Sequence, residues 1–414
     1  MFYLLLITII GVNLAPFVFM GNPSFFWNAQ GLWVQVGVLF CFSWSFFEKP
    51  KYNSPRNIPL GMLHLWVGLS TAVSCGVIQY KGSYNVRPLL PYFNFLTLVI
   101  MYNMLVQYLN IKQIEKVFVW LRYSIIGTLL LCVLQHFGVS QFFQLLYPDY
   151  ESGLFINNLV SGMIGNGTHL AGFLAMCIPL FLYRRSREDF LALALLLMVL
   201  FALTGQTKLD IPISGVIVAF GVGFFYLWRW SKAYTISIFI GFVVIGIVVY
   251  LNVPLDRYWR FFHSQGRFGW WRDFLLASRD TFVMGKGFGS VFWTGVKTKY
   301  PMHLHNEYIQ FLVEGGLIAF FLIVNFIKVF LETPCDKLGF MFKSIFFGFL
   351  LSSLFTYPMH LWLPASYACV SYAMVVALKE RDNSVIDEKA DKGFSISNNK
   401  AKCFTDRRFG RRPD

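Results

Sequence analysis

Charge is what this sequence has least of. Charged residues make up 14% of 414 positions, and only 21 of them are Asp or Glu. With 56% hydrophobic and 19% aromatic residues, a chain of this size could not bury its apolar surface in one water-soluble core. The seven cysteines form no CxxC pair. Cys41, Cys75, Cys132, Cys177 and Cys369 fall in apolar runs, while Cys335 and Cys403 fall in basic ones, so neither a disulfide framework nor thiolate–metal chemistry is indicated. No ATP or nucleotide-sugar motif is visible, and the absence of an internal repeat weighs against a transporter built on inverted repeats. The segment 1–20 lacks the basic flank and small-residue cleavage site of a secretory signal. It is expected to be a retained first membrane helix interrupted by Pro16.

Long apolar runs are present in number. With a minimum of roughly 17 apolar residues per span, the sequence predicts an all-α, polytopic integral membrane protein with about twelve transmembrane helices. They are expected near 2–20, 27–47, 59–79, 88–109, 118–140, 165–183, 190–206, 209–228, 234–252, 307–331, 340–357 and 360–378. The net charge of +14 follows topology rather than nucleic-acid binding, because the cations sit in loops between apolar runs. Lys49, Lys51, Lys112, Lys116, Arg184, Arg187, Arg229, Lys232, Lys337 and Lys343 mark one set of loops as cytoplasmic, with both termini inside. The long loop 252–306 then faces outward, to the periplasm of a cell with two membranes, and is expected to carry short interfacial helices. One transmembrane domain, 1–378, is expected to be followed by a disordered basic cytoplasmic tail, 379–414.

The densest polar cluster is His303-Leu304-His305-Asn306-Glu307, where the outer loop enters an apolar helix. Ionisable groups at such a boundary are costly to bury and tend to face a cavity or a partner. Helix anchoring is the plainer alternative. The outer loop itself is cationic, with Arg257, Arg260, Arg267, Arg272, Arg279, Lys286, Lys297 and Lys299 against Asp256, Asp273 and Asp280. A basic surface above lipid suits an anionic ligand, and arginine suits phosphate through its two-pronged donor geometry. Gly266 to Phe274 reads as an interfacial helix with its tryptophans at headgroup depth. Gly285-Lys286-Gly287-Phe288-Gly289 reads equally well as a tight turn or as a phosphate cradle. Lys208, in Thr204-Gly205-Gln206-Thr207-Lys208, either serves function or pairs with Asp210. On the helix predicted after it, His305 would share a face with Ile309, Leu312 and Gly316. A histidine there can accept a proton from a hydroxyl or hold a diphosphate. The spacing of His303, His305 and Glu307 does not match a helical metal motif.

In order and spacing, residues 165–368 resemble the O-antigen ligase superfamily, which includes O-antigen ligases, O-antigen polymerases and protein O-oligosaccharyltransferases. The likeness rests on Gly165-Asn166-Gly167-Thr168-His169-Leu170-Ala171-Gly172, Thr204 to Lys208, Gly266-Arg267 and the glycine turn at 285–289. It continues through His303 to Asn306, Glu314-Gly315-Gly316 and Phe355-Thr356-Tyr357-Pro358-Met359-His360. His305-Asn306 and Gly316 satisfy the ligase pattern of a His-Asn pair and, after nine residues, a glycine. Lys208 departs from the usual arginine, and Ala319 from a frequent glycine. The first 160 residues match only in hydropathy.

The resemblance implies glycosyl transfer without metal or other cofactor on the outer face of the bacterial inner membrane. The donor would be a glycan on undecaprenyl diphosphate, and the acceptor a hydroxyl of lipid A-core. Polymerase and protein-transferase activities share this chemistry. His305 takes the essential histidine position, Arg267 would hold diphosphate, and Lys208 would supply a second cation. His303, Asn306, Arg272, Lys286 and Glu314 are the expected substrate-binding residues. An anionic solute or lipid transporter is the reading from another class, and it would want charges at mid-membrane.

Overall fold

The computed structural model describes residues 1–18, 25–52, 57–77, 79–80, 83–84, 89–139, 167–184, 186–206, 213–229, 231–233, 235–236, 240, 267–291 and 304–391. Among the described residues the architecture is helical apart from one antiparallel pair, Gln79–Tyr80 with Ser83–Tyr84. In chain order the first helices are α1 (Phe2–Val18), α2 (Phe25–Trp44), α3 (Ile58–Val77), α4 (Leu89–Tyr108) and α5 (Ile111–Leu134). After them come α6 (Gly167–Met176), α7 (Pro179–Leu182), α8 (Arg187–Gln206) and α9 (Ile213–Trp228). The set closes with α10 (Arg267–Ala277), α11 (Glu307–Glu332), α12 (Lys337–Ser352) and α13 (Trp362–Asp391). The span predicted at 165–183 is broken because Pro179 opens α7 and cannot continue the ladder of α6. The span predicted at 234–252 lies almost wholly outside the described residues.

Local capping sets several helix starts. Asn110 accepts from the Gln113 N–H at 2.9 Å while the Gln113 side chain accepts from the Asn110 N–H at 3.0 Å, a reciprocal box at the start of α5. Asp336 caps α12 in one direction, its Oδ1 accepting from Gly339 N at 2.7 Å. One large core joins α1, α2, α4 to α9, α12, α13 and, through Phe330, the end of α11, while α3 and α11 pack together through Leu63, Val67, Phe311, Ala319 and Ile323. The outside of the bundle is apolar as well: Leu65 is 75% exposed and Leu191 73%. Such a surface is stable in lipid and not in water. Three helices, Ile58–Cys75, Ile111–Phe137 and Glu307–Glu332, are long and apolar enough to cross a membrane among the described residues. The chain is therefore a helical membrane protein.

Two expectations need correction. The segment from Lys379 was expected to be disordered, yet α13 runs on to Asp391. Arg381 is buried there, donating to Leu109 O at 3.1 Å from Nε and to Val106 O, and its guanidinium lies 3.6 Å from the centroid of the Tyr52 ring. It satisfies carbonyls freed at the end of α4, which ties α13 down. Lys343 was expected in a loop but lies inside α12, buried, donating to Leu331 O at 3.0 Å and to Thr333 O at the end of α11.

Helix α11 is not continuous. Gly316 has φ 69° and ψ −170°, which splits it into Glu307–Gly315 and a lower part from Leu317. The break frees backbone groups, and the segment after α10 takes them up. Leu317 N donates to Phe282 O at 2.9 Å, and Lys286 N and Gly287 N donate to Val313 O and Glu314 O at 3.0 and 2.8 Å. Gly285, Gly287 and Gly289 all have positive φ, so the glycine stretch is a tight turn seated on the break. A Cβ on Gly316 would run into Val283 O and Gly285 N, whereas one on Gly127 of α5 would meet nothing. Gly316→Ala is expected to cost about 2 kcal/mol or more, lowering the thermal transition of the detergent-solubilised protein. Gly127→Ala is expected to leave it unchanged or slightly raised. Equal transitions for the two variants would show that the break carries no strain-sensitive contact.

Candidate active site

The end of the bundle where α6, α11 and α13 begin and α12 finishes gathers a cluster of polar residues, His169, His305, Asn306, Glu307 and His360. Asn306 caps α11: its Oδ1 accepts from Ile309 N at 3.0 Å, and its Nδ2 donates to Leu354 O at 3.0 Å. Glu307 N donates to Ser353 O at 2.9 Å. Together these bonds tie the start of α11 to the end of α12. His305 precedes the cap with φ 54°, a left-handed conformation that costs a non-glycine residue on the order of 1 kcal/mol. The expected sharing of a helix face with Ile309, Leu312 and Gly316 is thereby corrected. His305 is not on the helix; the extended Asn306 cap separates it from the first turn.

The left-handed turn directs the imidazole of His305 onto aromatic neighbours. Its ring centroid lies 4.9 Å from Tyr357, edge to face, and 6.4 Å from His169, nearly parallel. His169 in turn lies 4.5 Å from Tyr357. Arg267 opens α10 and is close enough for its charge to act on both His305 and Tyr357. Burial first, and then the Arg267 cation, push the pKa of His305 down to about 4. The ring is therefore neutral near pH 7 and able to accept a proton. Burial also pushes the Tyr357 phenol up to about 12, with the Glu307 charge reinforcing and Arg267 opposing the shift. Tyr357 stays a neutral hydroxyl throughout the physiological range.

Behind this surface lies a second, buried layer. Glu307 Oε1 accepts from Met359 N at 2.8 Å and lies 3.2 Å from His360 Nδ1. Burial disfavours charge on His360, but the Glu307 carboxylate more than offsets it and raises the pKa above the ordinary histidine range. Glu307 Oε2 is buried, and no hydrogen bond reaches it among the described residues. Below Glu307 and Tyr308 an apolar cavity of about 130 Å³ opens between α3, α4, α11, α12 and α13. It is lined by Phe311, Phe349 and Ala365 near this end and reaches Tyr102 and Tyr372 toward the other.

The expected site residues divide clearly. His305, Arg267 and Asn306 come together. Glu314 is buried, but its Oε1 accepts from Val291 N at 3.1 Å and so holds the segment after α10. Arg272 points outward, with its side chain 73% exposed and paired with Asp273 at 3.1 Å. Lys286 contributes its backbone N–H to Val313 O. Neither Arg272 nor Lys286 makes a contact with the cluster among the described residues. Lys208 and His303 lie outside the described residues. His169, Tyr357 and His360 carried no role in the sequence reading, although the stretches 165–172 and 355–360 contained the signal for them.

Carbethoxylation of His305, followed by mass spectrometry across pH, tests the electrostatics. The wild-type midpoint is expected near pH 4, as the burial and the neighbouring cation require. Arg267→Gln removes the like charge and is expected to move the midpoint upward, toward the ordinary value. An unmoved midpoint would separate Arg267 from His305. Comparison of the chain with models of known protein families and with curated proteins gives no match.

Proposed function

We propose that this protein is an O-antigen ligase-like glycosyltransferase. It moves a glycan from undecaprenyl diphosphate to a hydroxyl of lipid A-core at the outer face of the bacterial inner membrane. In this reading about twelve helices cross the bilayer, both termini are cytoplasmic, and the loop 252–306 faces the periplasm. The observation that carries the proposal is the His305 imidazole, packed on Tyr357 within reach of the Arg267 charge at one end of an apolar bundle. Buried or tightly bound cations such as Arg122 and Arg381 belong to structural ties elsewhere: Arg122 Nε lies 2.6 Å from Asp189 Oδ1. The apolar cavity below Glu307 and Tyr308 agrees with a substrate that brings a hydrocarbon chain.

The chemistry divides between the two groups. The acceptor hydroxyl oxygen attacks the anomeric carbon, its proton passes to the free ring nitrogen of His305, and the carbon–oxygen bond to diphosphate breaks. The diphosphate leaves with the electron pair, and Arg267 stabilises the charge that develops. No metal or nucleotide is required, since the energy is stored in the donor. Binding a diphosphate at Arg267 also screens the cation that depresses His305, so the imidazole becomes a stronger base once the donor is bound.

Purified protein with a polyprenyl-diphosphate glycan and three acceptors (core lipid, a second repeat unit and a protein) tests the reading. Transfer is expected to core lipid, to survive chelation, and to be abolished in His305→Ala. Arg267→Ala is expected to impair donor use more than Arg267→Lys, which keeps the charge but loses the fork. The acid limb of kcat is expected at higher pH than that of kcat/KM, because the former reports the donor-bound protein. Transfer to the repeat unit or the protein alone would reassign the acceptor, and full activity in His305→Ala would remove the histidine from the mechanism.

A further inference from the structure

The backbone at Leu304 is held from two sides by residues with no assigned role. Leu304 is fully buried. Its N–H donates to Gln310 Oε1 at 3.3 Å, and its carbonyl accepts from Trp271 Nε1 at 2.6 Å. Trp271 lies one turn along α10 from Arg267, so the two share a face of that helix. Trp271, Phe274, Val291, Leu304 and Val313 pack as a small core of their own under this region. One residue, Leu304, thus connects the helix bearing Arg267 with the turn bearing His305.

Gln310 is itself fixed. It is buried, and its Nε2 lies 3.4 Å from His360 Nε2. With Oε1 accepting from Leu304 N, the amide presents its donor to His360, which takes it on the Nε2 lone pair of its neutral form. His360 then carries its proton on Nδ1 and donates to Glu307 Oε1. The order Glu307, His360, Gln310, Leu304 is a directional chain in which each member fixes the orientation of the next.

We propose that Gln310, oriented by His360 and Glu307, is a positioning residue for the transfer reaction: with Trp271 it clamps Leu304 and sets the left-handed turn that aims His305 at Arg267. This inference rests on the reaction assigned above to His305 and Arg267, but the clamp is measurable without it. Loss of the clamp leaves the φ of 54° at His305 without its anchor, so the ring relaxes away from its buried place.

The experiment compares Gln310→Leu, Gln310→Glu and Trp271→Phe in the full-length protein, after size exclusion shows each variant monodisperse. The first readout is the rate of His305 carbethoxylation at pH 7, and the second is kcat and donor KM for glycan transfer. Gln310→Leu and Trp271→Phe are expected to expose His305 to faster modification and to lower kcat by up to about 100-fold, with donor KM much less changed. Gln310→Glu keeps an acceptor for Leu304 N and draws a proton onto His360, so its modification rate is expected to match wild type and its kcat to exceed that of Gln310→Leu. Unchanged modification in both Gln310→Leu and Trp271→Phe, or equally fast modification in Gln310→Glu and Gln310→Leu, would overturn the clamp. Altered modification rates in a protein that transfers no glycan would uphold the clamp and overturn the reaction.

Discussion

The break in α11 at Gly316 is the constraint on which the candidate site depends. An unbroken helix would spend every backbone group on its own ladder and leave nothing for the outer segment to grip. At the break, Gly287 N reaches Glu314 O, Leu317 N reaches Phe282 O, and Trp66 Nε1 reaches Gly315 O at 2.8 Å. Those bonds anchor residues 282–291, and with them α10, to a helix that belongs to the bundle. Arg267 is thereby brought over the start of the same helix that His305 precedes. A site on a loop becomes rigid when the loop is bonded to a scaffold in this way.

Burial then converts proximity into chemistry. An exposed histidine beside an arginine would differ little from a free one, because water screens the pair. Packed against Tyr357 and near His169, the His305 imidazole loses most of its solvation, and the Arg267 charge acts through a medium of low polarity. The Glu307–His360 pair has the opposite electrostatic sense one layer deeper. The two histidines are pushed in opposite directions by their surroundings, His305 by burial and the Arg267 cation, His360 by the Glu307 carboxylate.

Much of the helical framework was legible because lipid demands long apolar runs and satisfied backbones. The starts of α3 and α11 fall within a residue of expectation for that reason. The extension of α13 to Asp391 was not legible: it depends on Arg381 finding the free carbonyls of α4, a contact between residues some 270 positions apart. The kink at Gly316 was hidden in a sequence whose apolar pattern runs straight through it. Within the site, His305 and Arg267 stood out as charges at an apolar boundary. Tyr357, His169 and Gln310 did not, because an aromatic or an amide beside an apolar run is ordinary until packing shows what it faces. Arg272 lies exposed beside Asp273, a pairing of neighbours that the sequence shows directly.

The central claim is that Arg267 and His305, far apart in sequence, act on one diphosphate in one pocket. A double-mutant cycle for binding of a short-chain prenyl-diphosphate glycan, with Arg267→Ala, His305→Ala and the double variant, measures this most directly. The account predicts a coupling of about 0.5–3 kcal/mol, the range for groups sharing one interaction network. Strictly additive losses, or no loss from either substitution, would contradict it.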